Sequence, residues 1–270
     1  MALKIAVLGA RGMLGHMLTN TLRTQHCEVT TFGRQECDVL FDVLDHNTHH
    51  QLALLCEMDF VVNCIGLLVQ ASQQNFAQAI LVNSWFPQHL ATLLSGTQTR
   101  LIQVSTDCVF SGSRGGYQIV DQPDDTSPYG RTKALGEINN CKDICFRTSI
   151  IGPEIRDGTG LFHWFCTKTP NVVHGYTNAI WNGLTTLELS KQIWAWCNNP
   201  KISGLVHLCR IESFSKYEIL CQINEIFEMG KTVVSIELPK RVDKTLVPSH
   251  EFDIPPFRSQ LLELKRNLQV

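Results

Sequence analysis

No stretch of this sequence approaches the roughly 18 consecutive apolar residues that a membrane-crossing helix needs. The opening residues pass from a lone cation, Lys4, through a short apolar run into a glycine turn, which is not the pattern of a signal peptide; a cytoplasmic protein is expected. Neither sign of charge is in excess. With 23 basic and 25 acidic side chains the net charge is −2, which argues against a nucleic-acid-binding surface and against an acidic solvating tail. Cysteine is plentiful, at eleven residues, yet no Cys-x-x-Cys occurs and no two Cys/His groups have zinc-ligand spacing. The odd count, and positions such as Cys64 inside the apolar run 61–65, read as buried free thiols in a reducing compartment. His46, His49 and His50 follow Asp45 and read as a polar helix start. No metal site is expected.

The 270 residues, 44% of them hydrophobic, suffice for a large core. Short apolar runs predict strands over 3–8, 60–65, 100–104 and 144–151, and a β-branched run predicts one over 28–32, the first three in chain order each closed by a glycine. Between them, helical spacing is found over 13–22, 51–56, 76–94 (interrupted by Pro87) and 127–138. Continuous apolar strands alternating with helices predict an α/β, doubly wound parallel sheet of the Rossmann type, in which ligands bind beyond the carboxyl ends of the strands. After Gly152 the pattern changes. Four of the five tryptophans fall here, with a turn at 175–178, helices over 186–196 and 216–227, and a strand over 205–209. Residues 1–152 are therefore expected to bind the cofactor. Residues 153–270 are expected to form a smaller, mainly substrate-binding lobe that also completes the sheet.

The first strand leads into Gly9-Ala10-Arg11-Gly12-Met13-Leu14-Gly15 and then a helix. This G-x-x-G-x-x-G spacing suits a pyrophosphate: Gly9 for the tight turn, Gly12 for close backbone approach, Gly15 for close helix packing. The same three glycines could also make a bare strand-to-helix turn. After the second strand an acidic residue would favour NAD, but Arg34 stands there, and with Arg11 it suits the 2′-phosphate of NADPH, so NADPH is preferred and NADH is possible. Asp42 and Val43 are placed to contact the adenine, although Asp42 could equally cap a helix.

Tyr129 and Lys133 form a Tyr-x-x-x-Lys, one turn apart on one helix face. A tyrosine with an ordinary pKa of ~10 needs help to act at neutral pH, and a nearby ammonium favours its phenolate. Ser105 and Thr106, at a strand end, can supply a hydroxyl to hold the substrate oxygen.

Several segments together carry a resemblance: 9–15; 61–66; Val82-Asn83; Ser105-Thr106-Asp107-Cys108-Val109-Phe110-Ser111-Gly112; Pro128-Tyr129-Gly130-Arg131-Thr132-Lys133-Ala134-Leu135-Gly136-Glu137; and Arg147-Thr148-Ser149. Over its first 155 or so residues the chain resembles the extended short-chain dehydrogenase/reductases, most closely the dTDP-4-dehydrorhamnose reductase branch. The resemblance implies an NADPH-dependent reductase of a nucleotide-linked 4-keto-6-deoxy sugar, feeding polysaccharide synthesis, as a monomer or homodimer. It implies Thr106, Tyr129 and Lys133 as the catalytic triad, and Asn83 as a supporting asparagine. It implies a cofactor set of Gly9, Arg11, Gly12, Met13, Leu14, Gly15, Arg34, Asp42, Val43, Cys64, Ile65, Gly66, Asn83, Ser105, Tyr129 and Lys133. Asp107, Asn178 and Trp181 are the expected substrate contacts, with core packing an equal reading for Trp181. Cys108 departs from the family, which has an aromatic residue there, and so alters the sugar pocket. An NAD-dependent epimerase or dehydratase and a non-catalytic regulatory subunit are the alternatives.

Overall fold

The computed structural model describes residues 2–155 and 158–268. The chain forms β1 (Leu3–Leu8), α1 (Met13–Arg23), β2 (Cys27–Gly33), β3 (Val39–Leu40), a 3-10 helix (His46–Glu57), β4 (Phe60–Asn63), α2 (Val69–Gln74), α3 (Phe76–Ala79), a π-helical segment (Ile80–Trp85), α4 (Phe86–Leu94), β5 (Arg100–Thr106), α5 (Pro128–Leu135) and β6 (Ile144–Thr148). It continues through β7 (Ile150–Ile151), α6 (Leu161–Thr167), β8 (Val172–Tyr176), β9 (Ala179–Trp181), β10 (Leu184–Thr185), α7 (Thr186–Asn198), β11 (Gly204–His207), β12 (Phe214–Ser215), α8 (Lys216–Ile226), β13 (Thr232–Ile236), β14 (Val242–Asp243) and α9 (Phe257–Leu268).

Seven strands make one sheet in the order β11-β6-β5-β4-β1-β2-β3, every neighbouring pair parallel. The apolar runs explain it. Successive strand residues point to opposite faces, so a strand buried on both sides must be apolar throughout. Ile5, Val7, Val62 and Ile102 pack on one face with Leu14, Leu18 and Leu22 of α1 and Leu189, Ile193 and Trp196 of α7. Ala6, Leu8, Val61 and Leu101 pack on the other with Leu52, Leu55, Phe86, Leu90 and Leu94. Each fully buried side chain of this size contributes about 1.5–3 kcal/mol, so the two layers are the main stabilising term. β2 and β4 flank β1, and the connections diverge there. The crevice at that switch point is where such sheets bind ligands.

The C-terminal part contributes both to the sheet, through β11, and to a third core. Phe162, Phe165, Trp181, Leu220, Phe257 and Leu261 pack there between α6, α8 and α9. α6, α9 and the parallel pair β8–β13 were not legible in the sequence. The run 144–151 is not one strand: it breaks at Ser149, whose carbonyl accepts from the Leu184 N–H at 2.8 Å, and β7 then pairs with β10 outside the main sheet. The run 76–94 is not one α-helix either. Pro87 cannot donate to the Asn83 carbonyl four residues back, and the turn before it widens to a π-helix. Asp45 caps the 3-10 helix, its carboxylate accepting from the Asn47 N–H at 3.0 Å, as the polar start at 45–50 predicted. Among the described residues no helix is long and apolar enough to cross a membrane.

α1 lies so close to β1 that a Cβ on Gly15 would sit 2.1 Å from the Gly9 carbonyl oxygen, whereas one on Gly12 would be 3.3 Å away. Gly15→Ala is therefore expected to cost about 1–3 kcal/mol through overpacking, read as a Tm several degrees lower by calorimetry, with Gly12→Ala much milder. Equal Tm values for the two variants would contradict the close packing.

Candidate active site

The crevice is built at the end of β1. Gly9 has φ of +77°, a conformation open to glycine and strained for other residues. No side chain caps α1, so its first-turn N–H groups, those of Met13 and Leu14 among them, are free donors in a positive potential. A cavity of about 290 Å³ lies against this turn. Of the expected cofactor residues it is lined by Gly9, Arg11, Gly12, Arg34, Asp42, Val43, Cys64, Ile65 and Gly66. Phe41, Leu67 and Val82 line it too, and sequence reasoning missed them, because a buried apolar wall residue carries no motif. The Arg11 Nε is buried without a hydrogen-bond partner among the described residues.

Seven expected cofactor residues do not line the cavity: Met13, Leu14, Gly15, Asn83, Ser105, Tyr129 and Lys133. Gly15 and Leu14 face the core, Leu14 through its side chain, and Met13 reaches toward Gly160. Asn83 is committed elsewhere: its Oδ1 accepts from the Leu67 N–H at 2.8 Å, and its Nδ2 donates to the Leu67 carbonyl at 3.0 Å and to Thr132 Oγ1 at 3.2 Å. It ties the loop after β4 to α5 and so positions both. Ser105 likewise turns away from the crevice, because adjacent strand residues face opposite sides. Its hydroxyl donates to Glu137 Oε1 at 2.7 Å. Only Thr106, of the pair, is left to face the site.

Tyr129 is brought to Thr106 by α5, which Ser127 caps, its hydroxyl accepting from the Gly130 N–H at 3.1 Å. α5 packs so tightly that a Cβ on Gly130 would lie 2.4 Å from the Cys108 carbonyl. Burial pushes the Tyr129 phenol up, the neighbouring Cys108 and Asp107 act in the same direction, and the bond with Thr106 partly opposes them. The expected downward pull from Lys133 is not found. The Lys133 Nζ donates to the Val104 carbonyl at 2.8 Å, away from the phenol. Burial lowers the lysine's pKa, with Cys145, Glu137 and Cys64 raising it. Lys133 is thus tied to β5 and feels Cys64, which lines the cavity.

A buried charge network lies beneath. Arg147, 1% exposed, donates from Nε to Glu137 Oε1 at 2.8 Å and from Nη2 to Oε2 at 2.5 Å. Its Nη1 donates to His207 Nε2 at 2.9 Å, and His207 Nδ1 donates to the Val247 carbonyl at 3.1 Å. This joins β5, β6, β11 and the end of α5 under the site.

The C-terminal part supplies groups that sequence reasoning missed. Burial raises the pKa of Asp107, 6% exposed, while Lys244, Lys216 and a hydrogen bond with Ser149 lower it. Lys244 Nζ also lies 3.6 Å from Asp125 Oδ2. Thr148, opposite Thr106 in the sheet register, has a buried hydroxyl without a partner among the described residues. No local motif marks the lysines, since only the fold brings 216 and 244 to 107. Cys108 stays a thiol, its pKa pushed up to about 12 by burial. Asn178 and Trp181, the expected substrate contacts, are engaged within the fold. Asn178 bonds both backbone groups of Leu238 at 2.8 Å, and Trp181 packs on Phe257 with ring centroids 5.5 Å apart.

A parallel sheet with a glycine turn at its switch point, and a tyrosine–lysine helix at its carboxyl edge, defines a Rossmann-type nucleotide-binding fold. Residues 3–152 match the family described as RmlD substrate binding domain, and the chain belongs to that family. It is 36% identical over 137 residues to a dTDP-4-dehydrorhamnose reductase of Streptomyces griseus, covering 48% of this chain and 42% of that protein. The chain thus matches about half the length, or less, of the curated reductases it resembles. Methionine adenosyltransferase 2 subunit beta of Pongo abelii is 24% identical over 244 residues, covering 84% of this chain and 72% of that one. A dTDP-4-dehydrorhamnose reductase from Bacillus anthracis, solved in complex with NADP, shares the fold with a TM-score of 0.81 at 19% identity, covering 98% of this chain and 99% of that one.

Two outcomes follow for the buried network. Glu137→Ala strands the Arg147 charge and is expected to cost about 3–5 kcal/mol in denaturant unfolding; a loss below 1 kcal/mol would contradict the pairing. His207 is held neutral, its pKa lowered from 6.5 to about 4 by burial and by Arg147. The unfolded state then takes up a proton below pH 6.5 that the folded state refuses until about pH 4. Its contribution to stability is complete above that window and lost as pH falls through it, by about 3 kcal/mol. In His207→Gln the stability gap between pH 7 and 4.5 is expected to narrow by about 2 kcal/mol, the part of that loss complete by pH 4.5, and parallel losses in variant and wild type would refute it.

Proposed function

We propose that this chain is an NADPH-dependent oxidoreductase that reduces a nucleotide-linked 4-keto-6-deoxy sugar for polysaccharide precursor synthesis, acting in the cytoplasm as a monomer or homodimer. Residues 1–152 would hold the cofactor, and 153–270 mainly the substrate. The observation that carries the reading is the meeting of Tyr129 with Thr106 at the carboxyl edge of the sheet, with Lys133 bonded to Val104 of the same strand β5 and Cys64 of the glycine-turn cavity close enough to affect its charge.

The cavity residues fit a dinucleotide. The uncapped start of α1 suits a pyrophosphate, and Arg11 and Arg34 suit a ribose phosphate. When bound, the nicotinamide supplies the hydride. Tyr129 holds its proton at neutral pH, because burial disfavours the phenolate, and that is the form a reduction needs. It would deliver the proton to the substrate oxygen. Thr106 Oγ1 would hold that oxygen and stabilise its developing charge. Lys133 Nζ would exchange the Val104 carbonyl for the nicotinamide ribose. Lys216 and Lys244 put positive charge beside Asp107, which suits an anionic, nucleotide-linked substrate. The names of the curated relatives support the reductase reading.

The second reading is a cofactor-binding regulatory subunit. The sequence likeness to the methionine adenosyltransferase subunit covers 84% of this chain against 48% for the Streptomyces griseus reductase, although a solved reductase shares the fold over 98% of it.

Tyr129→Phe separates the two. With NADPH and a panel of nucleotide-linked keto sugars, the wild type is expected to turn over one sugar. The variant should lose more than about 100-fold in kcat while its NADPH titration, followed by fluorescence, stays within twofold. Binding by the wild type without turnover of any sugar would move the assignment to the regulatory reading.

A further inference from the structure

We infer that Glu36 is an internal anion that competes with the cofactor's ribose phosphate for Arg11, and so sets how strongly this chain prefers NADPH to NADH. The inference rests on the reading of the cavity beyond β1 and β2 as a dinucleotide site.

Two guanidinium groups belong to residues lining that cavity, Arg11 and Arg34. They are not equivalent. Arg34 makes no ion pair among the described residues, whereas Arg11 Nη2 lies 2.5 Å from Glu36 Oε2. The backbone makes this contact possible: Glu36 has φ of +51°, in the left-handed region that favours glycine. That bend after β2 brings an acidic side chain back to the glycine turn. The other nearby acid, Asp38, cannot replace it, because its Oδ2 accepts from both the N–H and the hydroxyl of Thr31, at 2.8 and 2.7 Å.

Glu36 therefore occupies Arg11 with a carboxylate, in a place where a 2′-phosphate would present a charge of about −1.5 to −2 at neutral pH. The phosphate is the stronger partner for a guanidinium, since it carries more charge and more acceptor oxygens. Arg11 can receive it, because its buried Nε has no partner among the described residues. Glu36 can leave at low cost, because its side chain is 65% exposed. An exposed ion pair changes an equilibrium by no more than about fivefold. NADH has a hydroxyl in place of the phosphate and gives Arg11 no reason to leave Glu36. The carboxylate thus lowers the affinity for the phosphorylated cofactor and leaves the other nearly untouched.

The test is a fluorescence titration of the full chain with NADPH and with NADH, for the wild type, Glu36→Gln, Arg11→Ala and the double variant. Glu36→Gln is expected to tighten NADPH about three- to fivefold and to leave NADH within twofold. The gain should disappear in the Arg11→Ala background, since it acts through that guanidinium. An unchanged or lowered preference for NADPH in Glu36→Gln, with both cofactors still bound, would overturn this inference alone. So would a gain that persists without Arg11. If the wild type binds neither cofactor, the dinucleotide reading itself fails and takes the inference with it.

Discussion

The contact between the Gly9 carbonyl and the backbone of Gly15 is the constraint on which the rest depends. No side chain fits between them, so α1 can begin only as close to β1 as two glycines allow. That closeness sets its uncapped end at the switch point, where β2 and β4 part on either side of β1. The cavity, the free N–H donors and the approach of Arg11 all follow from that one placement. Seven parallel strands then direct every other strand end to the same edge, and the chemistry collects there because a parallel sheet has only one carboxyl edge.

The second dependence is electrostatic. Lys133, Arg147, Glu137 and Asp107 are all charged types held at the margin of the core, where an unpaired charge is costly. Each is balanced by a different element: Glu137 by Arg147, and Asp107 by lysines from the C-terminal part. The N-terminal and C-terminal portions therefore do not make separate sites. β11 completes the sheet and holds His207 against Arg147, so the lobe expected to bind substrate also fixes the floor under the tyrosine and lysine.

Much of this was legible in the order of residues. Strands buried on both faces must be largely apolar, and so β1, β4 and β5 were visible, while β2 was visible as a β-branched run closed by Gly33. Gly9, Gly12 and Gly15 were visible because close backbone approach leaves no alternative to glycine. Thr106, Tyr129 and Lys133 were visible as a strand end followed by a helix. The orientation of side chains was less accessible. Ser105 and Thr106 are neighbours in sequence but face opposite sides of the sheet, and Lys133, though one turn from Tyr129, leans to the Val104 carbonyl. Asn178 and Trp181 looked like site residues because polar and aromatic groups in a turn often are; here one secures the Leu238 backbone and the other fills the core.

By itself the sequence determined the class of sheet, the position of the glycine turn and the identity of the residues at the carboxyl edge, because these rest on period, steric size and local spacing. The tertiary structure alone decided which of those residues share a surface: Lys216 and Lys244 with Asp107, Glu36 with Arg11, Glu137 with Arg147 and Ser105. Such pairings depend on how elements distant in the chain are packed, and burial then determines which charges are tolerated and which protons are held. Neither quantity has a signature in the order of the residues.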